Sequence, residues 1–511
     1  MKRLTIIFSV IVLTFFSLNI FGQASISQID SSIIRKGIKY LASDELEGRN
    51  TPSKGLEKAA TYIISSFEKL GLQKPGKSYR QGLGLERKNL GKDNRYCLIN
   101  GQNRIELEIK KDYVPFQMTG DTQVIAPLVF AGYGISAPAL SYDDYENLDV
   151  HNKIVVILTG FPSEKDSATL GDLKNKKYSS IKAKVKTAIE KGAAGIIVLT
   201  NPVNNLLLRP RGYPWPSLSK LIPNSFIQMS MSDTSINTIP VIHGGPETMK
   251  ALFGSVDALK EIQLKIDQNS KPNSYFLEPW QAELKTSIDT ERCKADNIIA
   301  YIEGNDSILK NEYIILGAHY DHVGMKTDKD TLADHIFNGA DDNASGTAAV
   351  LAIAEAYKRY GIKPARTVIF MLFAGEELGL IGSTAYVAHP LFPLKQTRLM
   401  LNLDMISLGT NDSLYVNGAY DYPWLKKNLD ENNKKINLVL ITDNKKLIGG
   451  SDHMSFSGKE IPAVHFFTGL HKHYHQVSDE ADLTDTYKAS RVAELVFLTS
   501  IHFANLKTFD N

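Results

Sequence analysis

The apolar positions of the C-terminal third alternate between short continuous runs and helical spacing. Continuous runs of about four to eight apolar residues are typical of buried strands, whereas steps of three and four are typical of helices. The runs predict strands over residues 313–318, 367–373, 399–403 and 463–467. The helical spacing predicts helices over residues 346–360, 378–387 and 487–506. This alternation predicts an α/β fold with a mixed, mostly parallel sheet and helices on both faces.

Two further helical patterns lie nearer the start of the chain. Apolar residues recur at steps of three and four over residues 56–70 and the pattern ends at Gly71, which predicts an amphipathic helix. A weaker pattern over residues 34–41 leads into the charged segment 43–49. We predict that this segment is a solvated loop, because charged runs usually face water.

The middle of the chain has shorter strand-like runs separated by glycine and proline. They predict strands over residues 128–131, 154–158 and 195–200 and helices over residues 181–191 and 246–253. A loop surrounds Pro210, Pro214 and Pro216. No cluster of histidine and acidic residues with ligand spacing occurs there. We therefore interpret this region as a separate small α/β unit that serves packing or substrate access.

The first residues have the pattern of an export signal. Lys2 and Arg3 precede a mostly apolar run over residues 4–20, and Gly22 and Ala24 supply small residues at a cleavage site. We expect residues 1–24 to be removed and the protein to be exported, either to the periplasm or into the medium. An uncleaved anchor in the same segment is the alternative. No other stretch is long and apolar enough to span a bilayer, so no stable membrane insertion is expected after cleavage.

Composition narrows the choice of partners. The chain has 58 Lys plus Arg against 56 Asp plus Glu, so charge implies no attraction to nucleic acid or to a membrane surface. An apolar fraction of 43% allows sizeable cores. The two cysteines, Cys97 and Cys293, could form one disulfide or remain two buried thiols.

Histidine and acidic residues follow several of the predicted strands. His319 comes directly after the first strand, Glu376 and Glu377 follow the second, and Asp404 follows the third. Because open α/β sheets bind ligands beyond the carboxyl ends of their strands, we expect these side chains to meet at one edge. Charges at the ends of buried strands are costly unless they are solvated or paired, so a cation could compensate them.

Two more segments could contribute to the same edge. Asp341 and Asp342 precede a predicted helix and could cap it, or one of them could be shared by two metal ions about 3.5–4 Å apart. Asp321, two residues after His319, could accept the second ring proton of that histidine and fix its tautomer.

One loop near the C-terminus is rich in histidine. It contains His471, His473 and His475. Such a tract can be a solvated loop, an adventitious metal binder or a source of one specific ligand. Spacing alone does not separate His475 from His473.

Taken together, these segments resemble the exported dizinc aminopeptidases, in the wider family that also contains glutamate carboxypeptidase and glutaminyl cyclase. The matching stretches are residues 317–324, 339–346, 374–379, 403–405, 450–456 and 474–475. Residues 43–49 look like the N-terminal signature of that family. Three further stretches look like the protease-associated domain found in many members, namely residues 132–134, 142–145 and 191–195.

The resemblance implies a zinc exopeptidase-like domain over residues 25–115 and 281–511, interrupted by a protease-associated insert over residues 116–280. It also implies two zinc ions per chain. In the family pattern Asp342 bridges the two ions, His319 and Asp404 complete one site, and Glu377 and His475 complete the other.

The resemblance also implies catalytic roles. Glu376 matches the family's general base, Asp321 would support His319, and Tyr474, adjacent to His475, could donate to an oxyanion. The implied function is an aminopeptidase that removes N-terminal residues from peptides with a free N-terminus.

Three alternatives remain open at the level of sequence. A carboxypeptidase of the same family would need arginines to hold a terminal carboxylate, and arginines are sparse around these motifs. A glutaminyl cyclase-like transferase would need one zinc, and a catalytically dead, receptor-like protein would not need a base. The sequence leaves the oligomeric state, the role of the insert and the preferred N-terminal residue open.

Overall fold

The computed structural model of the chain describes residues 28–162, 172–174, 176–210, 226–229, 238–326, 334–409, 412–443 and 450–509. The expected signal peptide, together with Pro214 and Pro216, lies outside these ranges. Among the helices within them, none is long and apolar enough to cross a membrane.

The described residues form one large sheet of nine strands that carries the predicted C-terminal strands. In spatial order its strands are Phe226–Met229, Arg80–Leu90, Ile288–Ile302, Thr367–Phe373, Tyr313–His319, Thr397–Leu403, Ala463–Phe467, Ser413–Asn417 and Val439–Ile441. The four central strands, from Thr367–Phe373 to Ala463–Phe467, run parallel to one another. Antiparallel pairings flank them on both sides. The α/β fold with a mixed sheet is therefore confirmed, with its parallel part at the centre.

Helices cover both faces of this sheet. Alternate residues of each central strand point to opposite faces, so Ile314 and Leu316 pack into one core while Ile315 packs into the other. The helices of the first face are Ser31–Leu41, Lys54–Lys69, Gly346–Arg359, Pro423–Ile436 and Thr486–Asn505. The second face is covered by Ile381–Ala388 and His453–Ser457. The central strands are therefore buried between two layers of helices.

Several helices begin where the sequence provides a capping side chain. Ser53 accepts a hydrogen bond from the Leu56 amide at the start of Lys54–Lys69. Asp485 accepts one from the Lys488 amide at the start of the last helix. The helix predicted from residue 378 begins instead at Ile381, because the amides of Gly379 and Leu380 close a turn on the carbonyl of Glu376.

A second sheet of eight strands forms the inserted unit in the described part of the chain. Its spatial order is Asn103–Leu107, Arg95–Asn100, Ser274–Thr286, Thr122–Ala131, Ile154–Leu158, Gly195–Leu199, Val241–Gly244 and Tyr113–Pro115. The helices Lys176–Ser179, Ile181–Glu190, Pro246–Phe253 and Val256–Asn269 belong to the same unit. The unit has its own hydrophobic cores on the two sides of the sheet.

The inserted sheet begins earlier in the chain than the expected boundary at residue 116. The strands Arg95–Asn100, Asn103–Leu107 and Tyr113–Pro115 all pair within it, whereas Arg80–Leu90 pairs within the first sheet. The chain passes from the first sheet to the second at Gly91 and returns at Ser287. At this point the Gly91 amide donates a hydrogen bond to the Ser287 carbonyl over 2.9 Å. The difference arises because Arg95–Asn100 and Tyr113–Pro115 pair with partners more than a hundred residues away, which a local pattern does not reveal.

The sequence of the insert also contributes an edge strand to the first sheet. Phe226–Met229 lies within the sequence of the insert but pairs antiparallel with Arg80–Leu90 at the edge of the first sheet. Cys97 and Cys293 are both free thiols, so the alternative of two unpaired cysteines holds and the disulfide does not.

Candidate metal centre

The carboxyl ends of three adjacent parallel strands deliver most of the candidate ligands. His319 is the last residue of Tyr313–His319, and Asp404 directly follows Thr397–Leu403. Glu377 lies in the turn after Thr367–Phe373. Because these strands are neighbours in the sheet, the three side chains converge at one edge, as the sequence predicted.

A first group of possible ligands consists of His319, Asp342 and Asp404. Their ligand atoms all lie within 4.8 Å of one another. His319 Nε2 is 3.3 Å from Asp342 Oδ1 and 3.3 Å from Asp404 Oδ1. All three side chains are buried.

A second group consists of His322, Asp342, Glu377 and His475, again with ligand atoms within 4.8 Å of one another. His475 Nε2 is 3.2 Å from Asp342 Oδ2 and 3.0 Å from Glu377 Oε2. Asp342 therefore belongs to both groups and presents one carboxylate oxygen to each. The structure thus brings together all five predicted ligands and adds His322.

The carboxylates of the two groups favour positive charge at the site. Burial lowers the pKa of His319, but the carboxylates of Asp404 and Glu376 raise it well above its ordinary value. Burial also works against a charged His475, yet its contacts with Asp342 and Glu377 raise its pKa to about 10. The two groups contain three carboxylates and three imidazoles, and because an imidazole that binds a metal is neutral, the negative charge of the carboxylates favours a bound cation. Imidazole nitrogens and carboxylate oxygens are ligands that fit zinc.

Glu376 has the environment of a proton acceptor. Burial raises its pKa well above the ordinary value, and the nearby carboxylates of Glu377 and Asp404 add to the rise, although the charge of His319 opposes it. Its backbone amide donates to Asp321 Oδ1 over 3.2 Å. A carboxyl group that takes up a proton readily at the edge of a metal site suits general base catalysis.

Asp321 supports His319 through a different atom from the one expected. His319 Nδ1 lies 3.2 Å from the backbone carbonyl oxygen of Asp321 and 3.6 Å from its carboxylate. The carboxylate instead accepts hydrogen bonds from the Thr51 hydroxyl and from the amide of Glu376. Asp321 therefore fixes the ring of His319 with its main chain and the turn of Glu376 with its side chain.

The three histidines of the C-terminal loop have different contacts in the structure. His475 faces Asp342 and Glu377, as described above. His471 Nε2 lies 3.1 Å from Asp341 Oδ2, and His473 contacts the Ser478 hydroxyl at an exposed position. Among the three, His475 alone joins the described metal groups, in agreement with the family pattern.

Tyr474 lies beside the candidate ligand His475. Its ring stacks on the His475 ring with centroids 4.0 Å apart. Burial raises the pKa of Tyr474, and the carboxylates of Asp342 and Glu377 raise it further, so the hydroxyl keeps its proton at neutral pH. A protonated phenol at the mouth of the site can donate a hydrogen bond.

Asp341 and Asp479 hold the segment that carries Asp342. The carboxylate of Asp479 accepts from the amides of Asp341 and Asp342 over 3.0 and 3.1 Å. Asp341 Oδ1 accepts from the amide and the hydroxyl of Ser407, both over 2.7 Å. Asp341 therefore connects its own segment to the loop of Ser407, whereas Asn343 Oδ1 accepts a hydrogen bond from the amide of Gly346 at the start of the next helix.

The prediction of a solvated loop over residues 43–49 is wrong for Arg49. Its side chain is 1% exposed, and its guanidinium donates to the carbonyl oxygens of Tyr320, Asn338, Gly339 and Leu41. Burial lowers its pKa to about 10, while Asp321 and Asp342 favour its charge. Arg49 thus ties both metal-bearing loops together. Its burial was not visible in the sequence, because the surrounding residues are charged and polar.

His322 was also not singled out from the sequence. It lies in the matching stretch 317–324, one residue after Asp321. A histidine next to an acidic residue carries little information by itself, so the spatial grouping was needed to reveal it.

Comparison with known proteins agrees with this architecture. Residues 297–500 match the model of Peptidase family M28, and residues 124–252 match the PA domain. Aminopeptidase YwaD from Bacillus subtilis (strain 168) is 28% identical over 228 residues, which cover 42% of this chain and 46% of that protein. A glutamate carboxypeptidase 2 homolog from Caenorhabditis elegans is 28% identical over 214 residues, which cover 40% of this chain and 25% of that protein.

The match thus spans less than half the length of these curated relatives. The solved structure of an aminopeptidase from Aneurinibacillus sp. strain AM-1 has the same fold, with a TM-score of 0.57 and 21% sequence identity over 93% of this chain and 94% of that chain. The matched families coincide with the two sheets described above. Residues 297–500 of the chain therefore resemble peptidase family M28, and the match to the PA domain over residues 124–252 lies within the inserted unit.

Proposed function

We propose that the protein is an exported aminopeptidase that uses two zinc ions to hydrolyse N-terminal residues from peptides. The observation that carries this proposal is the position of Asp342, which directs Oδ1 toward His319 and Oδ2 toward His475. A carboxylate placed between two groups of ligands is what a pair of cations about 3.5–4 Å apart requires. The aminopeptidases among the relatives support this class of reaction.

In this proposal the residues divide into two metal sites. His319 and Asp404 would hold one zinc ion, Glu377 and His475 would hold the other, and Asp342 would bind both. When bound, the two ions would polarise a peptide carbonyl and make water acidic enough to lose a proton near neutral pH.

The remaining steps are carried by side chains of the protein. Glu376 accepts the proton of the attacking water, since its pKa is raised, and returns that proton to the leaving amine. Tyr474 donates its hydroxyl hydrogen to the oxyanion that develops on the carbonyl. Asp321 keeps Glu376 in place through the hydrogen bond to its amide.

A carboxypeptidase is the second candidate, because a glutamate carboxypeptidase homolog is among the relatives. Such an enzyme holds the terminal carboxylate of its substrate with an arginine fork. Arg49 is close to the site, but its guanidinium is occupied by backbone carbonyls and faces away from solvent. This arrangement favours the aminopeptidase.

The test is a panel of peptides with free or acetylated N-termini and free or amidated C-termini, each with and without a chelator. We expect cleavage of every peptide with a free N-terminus, loss of cleavage after chelation, and about two zinc ions per active chain by metal analysis. Cleavage that requires a free C-terminus would favour the carboxypeptidase. Pyroglutamate formation without hydrolysis would indicate a cyclase, and binding without turnover would indicate a receptor-like protein.

A further inference from the structure

We infer that His322 is a positioning residue that fixes Glu377 in the second metal site by donating a hydrogen bond from Nδ1 to Glu377 Oε1. This inference rests on the proposed function, since it assigns Glu377 to a zinc ion. It adds a residue outside the five ligands and the base.

The contact between the two side chains divides the Glu377 carboxylate into two roles. His322 Nδ1 lies 2.8 Å from Glu377 Oε1, while Glu377 Oε2 lies 3.0 Å from His475 Nε2. His322 Nδ1 is 3.8 Å from the nearest oxygen of Asp342, so Glu377 is its closer partner. One oxygen of Glu377 is therefore held by His322, and the other is directed to the metal group.

In the hydrogen bond between His322 and Glu377, the imidazole must be the donor. An ionised carboxylate can only accept hydrogen bonds, so Nδ1 of His322 must carry the proton. The other ring nitrogen, Nε2, is buried and has no hydrogen-bond partner in the described part of the chain. The ring thus offers one polar contact, and that contact is with Glu377.

The ring of His322 packs closely against Gly339. It is fully buried, and a Cβ atom added at Gly339 would lie 2.5 Å from both Cγ and Cδ2 of the ring. The backbone amide of His322 donates to the carbonyl of Arg49 over 3.2 Å. The guanidinium of Arg49 in turn holds the carbonyl of Gly339. The position of His322 is therefore set by the hydrogen bond of its amide to Arg49 and by the packing of its ring against Gly339.

Fixing the carboxylate should matter for metal affinity. A carboxylate with two free oxygens can rotate or bind through either one, whereas a hydrogen bond to one oxygen leaves the other in a defined direction. Outer contacts of this kind typically change metal affinity by about 10- to 100-fold.

The experiment compares His322→Leu with His322→Asn in the full chain. Leucine removes the donor, whereas the asparagine amide places an N–H close to the position of Nδ1. Zinc affinity of the two sites is measured by competition with a chromogenic chelator. We expect His322→Leu to release one zinc ion about 10- to 100-fold more readily, with the other ion unchanged. We expect His322→Asn to stay within about threefold of the wild type, because it keeps the donor.

The control is His502→Leu, which makes the same change at an exposed position on the last helix. If His322→Leu fails to fold by circular dichroism, His322→Ala, which adds no branched volume, takes its place. Two zinc ions held with wild-type affinity in the variant without a donor would overturn the inference. Equal loss of zinc in His322→Asn would also overturn it, since the imidazole itself would then be the ligand.

Failure of the proposed function looks different from failure of this inference. If the wild type binds two zinc ions and cleaves free N-termini while His322→Leu keeps its zinc, the inference alone is wrong. If the wild type binds no zinc, both are wrong.

Discussion

Asp341 and His471 form a contact of 3.1 Å that joins the segment carrying Asp342 to the loop carrying His475. Burial works against a charged His471, but its hydrogen bond with Asp341 raises its pKa. The two groups therefore attract each other, and the loop is held at a point four residues before His475. At the other end of the loop, Asp479 accepts hydrogen bonds from the amides of Asp341 and Asp342.

Loss of the Asp341–His471 contact should weaken the metal site to which His475 contributes. We expect His471→Leu to lower the affinity for one zinc ion by about 10- to 100-fold, because His475 is then less well positioned. Zinc titration with a chelator measures this effect. The control is His473→Leu in the same loop, where the side chain is half-buried and contacts Ser478. An equal effect of both substitutions would show that the Asp341 contact has no special role.

Substitution of the proposed base should separate chemistry from metal binding. We expect Glu376→Gln to lower kcat by about 10²- to 10⁴-fold while zinc content stays at the wild-type level, because the amide cannot accept the proton. Steady-state kinetics and metal analysis of the same sample provide the two values.

The matched control for this substitution is Glu377→Ala at the adjacent position. It should lose one zinc ion, since Glu377 faces His475 in one group only. If Glu376→Gln loses zinc and Glu377→Ala retains both ions, the assignment of the two residues is reversed.

Replacement of Arg49 should destabilise the peptidase domain. Arg49→Met leaves several buried carbonyl groups without a donor, including those of Tyr320 and Gly339. We expect a loss of about 3–5 kcal/mol in the free energy of unfolding. Urea denaturation followed by circular dichroism measures this change. Arg292→Met, at an exposed position, should change stability by no more than about 0.5 kcal/mol. Similar values for the two variants would contradict the role of Arg49.

Stability in acid should depend on His453. Burial and, to a lesser extent, the neighbouring His465 lower the pKa of His453 to about 3. Between that value and the ordinary pKa near 6.5, the unfolded chain binds a proton that the folded chain does not. Stability is therefore lost as the pH falls through this range, by up to about 1.4 kcal/mol per pH unit.

We expect the free energy of unfolding of His453→Leu to decrease less steeply with falling pH than that of the wild type. Urea denaturation at pH 7, 6 and 5 in excess zinc gives the slope. His389→Leu, at an exposed position, is the control and should keep the wild-type slope. Because acid also releases zinc from all three proteins, the difference between the variants isolates the effect of His453.

The sequence was most informative where a residue's role follows from its place on a strand. The buried runs identified the parallel strands, and His319 and Asp404 could be assigned to one edge because such strands end together. The strands Thr367–Phe373 and Ala463–Phe467 were predicted to the residue, since their apolar runs end at charged or turn-forming neighbours.

Long-range contacts were less accessible. Arg49 is surrounded by charged residues in the sequence, and its burial depends on carbonyl groups nearly three hundred residues away. The contact of His322 with Glu377 joins residues 55 positions apart and is not visible in the sequence around either residue. The early strand Arg95–Asn100 pairs with Ser274–Thr286, so no local pattern assigns it to the second sheet.

The pairing of Phe226–Met229 with Arg80–Leu90 has a practical consequence for engineering. Deletion of the inserted unit between Gly91 and Ser287 would also remove this short strand from the edge of the first sheet. Arg80–Leu90 would then be an unpaired edge strand, and the free amides and carbonyls of such a strand can pair with other molecules and cause self-association. A shortened enzyme would therefore need charged or proline substitutions on Arg80–Leu90 to stay monodisperse.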